Sequence, residues 1–444
     1  MSRLVLVSNR VPDVKERVQS AGGLIVGLGE AVRDTEGLWF GWSGQHHENA
    51  VSSDVQIEQL HRVTFATIDL TTDQYTRFYE NFANGALWPL CHYRLEMIRY
   101  RQEDYDSYKK VNALFARKLA PLLREDDVIW VHDYHLMMLG AELKKLNIRN
   151  RIGYFLHIPL PPWSVTRVLP CAGALLSALS EYDLIGVQTE EDRENFNSCF
   201  SATGLSTRVE HFPIGIAPEE FREEARRNVD APEVVRLMDS LRGRKLVIGV
   251  DRLDYSKGIP ERIKGFEKLI QRYPQHEAKV VMLQIAPVSR AGVSAYQHLR
   301  CEVDELSGHV NATFGTFDWT PVRFLTQSVP RHVLAGFHRR ADIALVTPLR
   351  DGMNLVAKEY VAAQDEDDPG VLILSSLAGA APELKAALQV NPYDPDQIAE
   401  ALHLALTMKK EVRKKRWRFL NVEVQRNTAA RWAAEFLSVL KEVR

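Results

Sequence analysis

Short, nearly continuous apolar runs alternate with longer stretches of helical periodicity along this chain, and that alternation most constrains its fold. Leu4–Val7, Val128–Val131, Ile152–Leu156 and Leu184–Val187 read as strands in the first half. Leu246–Val250, Val280–Ile285, Ile343–Val346 and Val371–Leu374 do so in the second. Residues 258–272 and 354–364 read as helices, with Pro260 tolerated in a first turn. The pattern predicts an α/β protein with largely parallel sheets.

At 444 residues the chain exceeds one ordinary core, so two or three domains are expected. The stretch from Ile216 to Arg244 is charged, carries Pro218 and Pro232, and separates two strand-rich halves. The domains are therefore expected at 1–230 and 231–427. A final helix over 428–444 carries Trp432, Phe436 and Leu440 at i, i+4, i+8, one apolar stripe that should pack back on the first domain.

With 45% hydrophobic and 26% charged residues the composition is that of a soluble globular protein. A formal net charge of −2 gives no general attraction to nucleic acid or to an anionic membrane. The basic run Lys409–Arg418 reads as a solvated helix face. Neither a signal-peptide pattern at the start nor a membrane-spanning run is evident. Cys91, Cys171, Cys199 and Cys301 are scattered without CxxC or zinc spacing. Together these features predict a cytoplasmic protein without a structural metal.

Polar residues follow the predicted strands. Arg10, Asp133, His157, Arg252, Arg290 and Asp351 each come at or just past the end of an apolar run. Ligands of open α/β sheets bind beyond the carboxyl ends of the strands, so six such residues from both halves point to one site between two domains. Arg252 and Lys257, ahead of a helix start, suit a diphosphate. A salt-bridge cluster with Asp251 or Asp254 explains them as well. Asp351 and Glu359 lie about 12 Å apart if the intervening chain is helical, which suits one carboxylate for a sugar and one for a ribose. The free amides of residues 354–356 would then meet phosphate oxygens. The plainer alternative makes Asp351 a helix N-cap and Glu359 a surface residue. Gly22-Gly23 lets backbone approach a ligand, or simply turns the chain. His132-Asp133-Tyr134-His135 has no matching metal partners; hydrogen bonding by Asp133, or a satisfied core histidine, fits better. No G-x-G-x-x-G, P-loop or Gly-x-Ser-x-Gly elbow is present.

Taken together, Ser8-Asn9-Arg10, Ala21-Gly22-Gly23-Leu24, residues 38–42, Ile129 to Leu136, Phe155 to Pro159, Arg252 to Gly258 and Leu349 to Tyr360 resemble the trehalose-6-phosphate synthase family, in order and approximate spacing. The resemblance implies a GT-B glycosyltransferase fold, two Rossmann-like domains facing a central cleft, with the acceptor on the N-terminal domain and the nucleotide sugar on the C-terminal one. It implies retaining transfer of glucose from UDP-glucose to glucose 6-phosphate, without metal or other cofactor. By resemblance, Gly22, Gly23, Arg252, Lys257, Leu355, Val356, Ala357, Lys358 and Glu359 bind the donor, with Arg252 and Lys257 on the diphosphate and Glu359 on the ribose. Asp351 and His157 orient the transferred glucose and join Arg252 and Lys257 as the catalytic set. Arg10, Tyr79, Asp133 and Arg290 hold the acceptor, while Trp88 and His157 match positions associated with selecting the α-anomer. Val329 stands where the family often carries Phe, and the segment from Ser198 to Arg208 looks shorter than in some members. The family also implies a homodimer or homotetramer. No phosphatase motif is evident, so a separate trehalose-6-phosphate phosphatase is expected. Two rival readings keep the fold: a glucosylglycerol-phosphate synthase using glycerol 3-phosphate, and a non-catalytic sugar-phosphate sensor.

Overall fold

The computed structural model describes residues 2–12, 36–48, 54–288 and 294–443. These divide into two compact units, one holding the described residues up to Ile214 together with those from Ala429 onward, the other spanning Gly215–Thr428. Gly22, Gly23 and Arg290 lie outside the described residues.

The first unit contains β1 (Leu4–Arg10), β2 (Gly37–His47), β3 (Gln56–Leu60), β4 (Val63–Thr71), β5 (Val128–His132), β6 (Arg151–Phe155), β7 (Leu184–Val187) and β8 (Val209–His211). Among the described residues these form one sheet in the order β3-β4-β2-β1-β5-β6-β7-β8. Only the edge pair β3–β4 is antiparallel. The inner strand β5 is buried at every position, as expected where helices cover both faces. β1 continues through Arg10 rather than ending at Val7, so Arg10 is the last strand residue and not the first loop residue.

The helix Ala429–Glu442 belongs to this unit. Its Trp432, Phe436 and Leu440 are all buried. Phe436 stacks on Trp130 of β5, with centroids 4.6 Å apart and planes at 11°. A Cβ on Gly153 of β6 would sit 2.8 Å from both Phe436 and Leu440, so a bare glycine is what lets the helix approach the sheet.

The second unit contains β9 (Lys245–Val250), β10 (Val280–Ile285), β11 (Val322–Leu325), β12 (Ile343–Val346), β13 (Val371–Ser375) and β14 (Leu388–Val390). They form a parallel sheet in the order β11-β10-β9-β12-β13-β14. Counted within the unit this is 3-2-1-4-5-6, the doubly wound Rossmann order, with its reversal between β9 and β12. The first sheet reverses in the same way between β1 and β5.

The stretch expected to connect the domains is helical instead. Pro218 and Pro232 each open a helix, Pro218–Arg227 and Pro232–Leu241, and both belong to the second unit. Proline at the first helical position costs no hydrogen bond. The charged residues that suggested a linker face solvent, while Phe221, Ala225, Val234 and Leu241 are buried. The chain therefore passes between units at Ile214/Gly215, ahead of the border expected at 230/231. Among the described residues no helix is long and apolar enough to cross a membrane.

Candidate active site

Chemistry-bearing residues of the second unit gather where its strand order reverses. After β9 the chain runs through Asp251, Arg252, Leu253 and Asp254 into a single 3-10 turn, Tyr255–Lys257, and then the helix Ile259–Arg272. Asp254 accepts the amide of Ser256 at 2.9 Å and the hydroxyl of Tyr296 at 3.1 Å. Gly258 joins turn and helix at φ +61°, and a Cβ there would lie 2.1 Å from the carbonyl oxygen of Thr347. Both backbone angle and space therefore require glycine.

After β12 the chain reaches Asp351, and the helix Leu355–Ala363 follows. Its N-cap is Asn354, not Asp351: the Asn354 side chain accepts the amide of Ala357 at 3.1 Å from a backbone at φ +88°. The helix starts too late for Asp351 and Glu359 to share it, so the separation inferred from a continuous helix does not apply. The cap occupies the Ala357 amide and leaves Leu355 and Val356 as the first-turn donors without an intrahelical acceptor.

Lys257 Nζ lies 2.6 Å from Asp351 Oδ2, and Asn354 Nδ2 donates to the same oxygen at 3.1 Å. Arg252 is exposed and makes no ion pair among the described residues. The proposed pairing of Asp251 with Arg252 or Lys257 is replaced by another: Asp251 is bound to Arg262 at 2.8 Å. Arg262 is 0% exposed, and also reaches Gln284 at 2.8 Å and Thr347 at 3.1 Å. One guanidinium thus ties together the carboxyl ends of β9, β10 and β12, directly behind the turn that carries Lys257. Burial raises the pKa of Asp251, opposed by Arg262 and Lys257.

Glu359 stands on the helix Leu355–Ala363. Burial lifts its carboxyl to about 7, against Arg331, with Glu224 adding to the rise. Lys358 points elsewhere: its ammonium is buried and paired with Glu383 at 3.1 Å.

In the first unit the corresponding edge holds Arg10 at the end of β1, exposed, and Asp133 directly after β5. Asp133 has φ +76° and ψ 166°, a region that residues other than glycine rarely occupy. Its carboxylate accepts the amide of His157, just past β6, at 3.3 Å. The amide of Ile214 donates to Gln188 Oε1 at 3.0 Å, which turns the Gln188 nitrogen toward His157 Nδ1 at 3.3 Å. Nδ1 therefore accepts, the ring proton sits on Nε2, and Nε2 donates to His132 Nδ1 at 3.1 Å. Burial brings His157 down to about 3 and pushes His132 well below its ordinary value as well. The His157 ring is a neutral, already hydrogen-bonded group and not a base poised for neutral pH.

Tyr79 and Trp88 come from one continuous segment, a π-helix over Tyr75–Leu87 followed by the short helix Trp88–Cys91. Tyr79 stacks on His135 with centroids 5.6 Å apart, and Trp88 lies 5.5 Å from Tyr134.

Residues 3–442 match the model of glycosyltransferase family 20. The chain belongs to that family. Among its relatives, the trehalose-6-phosphate synthase of Sodalis glossinidius is 45% identical across all of this chain and 97% of its own length. One from an Escherichia coli O1:K1 strain is 44% identical, across all of this chain and 96% of its own. The α,α-trehalose-phosphate synthase of Burkholderia xenovorans, solved with glucose 6-phosphate, superposes with a TM-score of 0.96 at 43% identity, covering 99% of this chain and 100% of that one. An Escherichia coli structure bound with UDP-2-fluoro glucose gives 0.94 at 43% identity, with both chains fully covered. The two-sheet α/β architecture is accordingly the GT-B glycosyltransferase fold.

Seen as a member of this family, the chain brings Arg252, Lys257 and Asp351 to one switch point, and the helix with Leu355, Val356 and Glu359 begins beside it. Arg10, Asp133 and His157 occupy the matching edge of the other sheet. Sequence reasoning missed Arg262 and Gln188. Arg262 alone left a trace: it falls on the apolar stripe of its helix with Ile259, Ile263, Phe266 and Ile270. Among the described residues no group of three His, Cys, Asp or Glu side chains is placed to hold a metal ion.

Proposed function

We propose that this chain transfers glucose from UDP-glucose to glucose 6-phosphate with retention, giving α,α-trehalose 6-phosphate and UDP. The observation that carries the reading is the Lys257–Asp351 pair at the switch point of a Rossmann sheet, beside a helix start, in a chain of this family. Arg252, Lys257 and the amides of Leu355 and Val356 receive the diphosphate; Glu359 receives the ribose hydroxyls. Gly22 and Gly23 complete the donor set, together with Ala357, whose amide bonds the Asn354 cap, and Lys358, whose ammonium is held by Glu383. Arg10 and Arg290 take the acceptor phosphate, with Tyr79, Asp133 and Trp88 around its sugar.

In the reaction the acceptor hydroxyl oxygen forms a bond to the anomeric carbon as the bond to UDP breaks. Its proton passes to an oxygen of the leaving diphosphate. Cations and helix amides stabilise the charge that develops there, so no protein nucleophile is required. Asp351 orients the glucose. His157 contributes position and hydrogen bonding, in keeping with its neutral ring. Retention, a metal-free reaction, a homodimer or homotetramer, a separate phosphatase downstream and a cytoplasmic setting complete the reading. Three buried free cysteines and one exposed suit a reducing compartment.

The test is UDP release by purified protein with UDP-glucose, comparing glucose 6-phosphate with glycerol 3-phosphate, in chelator and without added metal. Release with glucose 6-phosphate and formation of trehalose 6-phosphate are expected. A preference for glycerol 3-phosphate would overturn the acceptor, and dependence on a metal would overturn the metal-free mechanism.

Glu359 adds a pH signature. With its carboxyl at about 7, it is mostly protonated at pH 6 and mostly charged at pH 8. The charged form accepts the two ribose hydroxyls in stronger, charge-assisted hydrogen bonds, so the KM for UDP-glucose should fall as pH rises through 7. In Glu359→Gln that slope should flatten; an unchanged slope would remove Glu359 as its source.

A further inference from the structure

Tyr79 and Trp88 are nine residues apart. On an α-helix of about 3.6 residues per turn that is two and a half turns, which puts the two side chains on opposite faces. The backbone between them is wound differently. Tyr75–Leu87 is a π-helix, and the amide of Trp88 bonds the carbonyl of Ala83, five residues back. With about 4.4 residues per turn, nine residues make two whole turns and restore one common face. Tyr75, Tyr79, Asn84 and Trp88 follow that repeat. The contacts agree: Tyr75 stacks on Tyr79 at 5.4 Å, Tyr79 on His135, and Trp88 lies against Tyr134, the neighbour of His135.

Asn84 is the polar member of this face and is 1% exposed. Its Nδ2 donates to the carbonyl of Tyr79, five residues back, at 2.8 Å. Its Oδ1 accepts the hydroxyl of Tyr134 at 2.9 Å. One side chain therefore holds the helix at the turn that carries Tyr79, and also holds the aromatic ring against which Trp88 rests. π-Turns are rare and concentrate at functional sites, since a wider turn must be stabilised by something outside the backbone ladder.

We propose that the π-winding of Tyr75–Leu87, clamped by Asn84, sets acceptor recognition by bringing Tyr79 and Trp88 onto one face, and that Asn84 is a positioning residue for the transfer reaction. This rests on the acceptor reading given above for Tyr79 and Trp88. Asn84 itself touches neither substrate; it acts through the helix repeat and through Tyr134.

The test uses Asn84→Ala, Tyr134→Phe and the double variant in the full chain. The readouts are KM for glucose 6-phosphate, KM for UDP-glucose, and UDP affinity by calorimetry. Asn84→Ala should raise the KM for glucose 6-phosphate by about ten- to a hundredfold, the scale of a small misplacement at a site. UDP affinity should stay within about twofold, because those contacts lie on the other unit. Tyr134→Phe should raise the same KM to a lesser degree. The double variant should be no worse than Asn84→Ala, since both remove one shared bond. An unchanged KM for glucose 6-phosphate in Asn84→Ala overturns the inference, as does an equal loss of donor affinity. Should Asn84→Ala fail to fold, Tyr134→Phe alone decides by the same split. A wild-type protein inert toward glucose 6-phosphate overturns the functional reading, and this inference with it; an active wild type with unshifted variants overturns the inference alone.

Discussion

Lys257→Ala is expected to lower kcat by about 10²–10³-fold while the protein stays folded, the loss typical of removing one preorganised charge-stabilising donor. Lys257 sits at the end of a rigid turn, held from below by Gly258 and from behind by the Arg262 network, so its position is set before substrate arrives. Its ammonium is already 2.6 Å from Asp351, with both side chains 14% exposed. Removing it deletes the cation for the leaving diphosphate and leaves the Asp351 carboxylate with Asn354 but without its counter-charge. Both effects act in the transition state, so kcat should fall more than the KM for UDP-glucose rises. Lys257→Arg should recover little, because a planar fork does not replace a compact ammonium in a preformed site. Initial-rate UDP release at saturating substrate is the check, and turnover near that of wild type would take Lys257 out of the mechanism.

The second large effect concerns stability. Arg262→Ala should cost about 3–5 kcal/mol, the usual consequence of leaving one partner of a buried ion pair uncompensated. Arg262 has no exposed surface, and Asp251 is also buried. The loss also strands Gln284 Oε1 and one bond of Thr347. Combining Arg262→Met with Asp251→Asn removes the pair together and should recover much of the loss, because no charge remains buried alone. Thermal unfolding of the two variants against wild type makes the comparison. Equal destabilisation by both would show that packing around the long side chain, and not the ion pair, carries the energy.

Some of this was legible in the residues. Leu184–Val187, Val280–Ile285 and Ile343–Val346 match observed strands end to end, and the others named agree to within a few residues. Fully covered parallel strands must be apolar on both faces, so they announce themselves as short unbroken runs. Arg10, Asp133, Arg252 and Asp351 stood out because a polar residue at the end of such a run is where the sheet edge opens. Edge strands such as β3, exposed at every position, carry no such signal.

What composition and pattern determined, then, was the α/β class, the inner strands and the residues waiting at their carboxyl ends, since each follows from a few neighbouring side chains. The rest depended on partners far apart in sequence. Strand order decided that β9 and β12 flank the reversal, which is why Lys257 meets Asp351 across ninety-four positions. Arg262 became intelligible only once β9, β10 and β12 brought Asp251, Gln284 and Thr347 around it. The segment Tyr75–Leu87 is wound as a π-helix, and Tyr134, directly after β5 and Asp133, donates its hydroxyl to Asn84 within it. A local repeat of 3.6 and one of 4.4 residues are separated by contacts the local sequence does not contain, and tertiary packing made that choice.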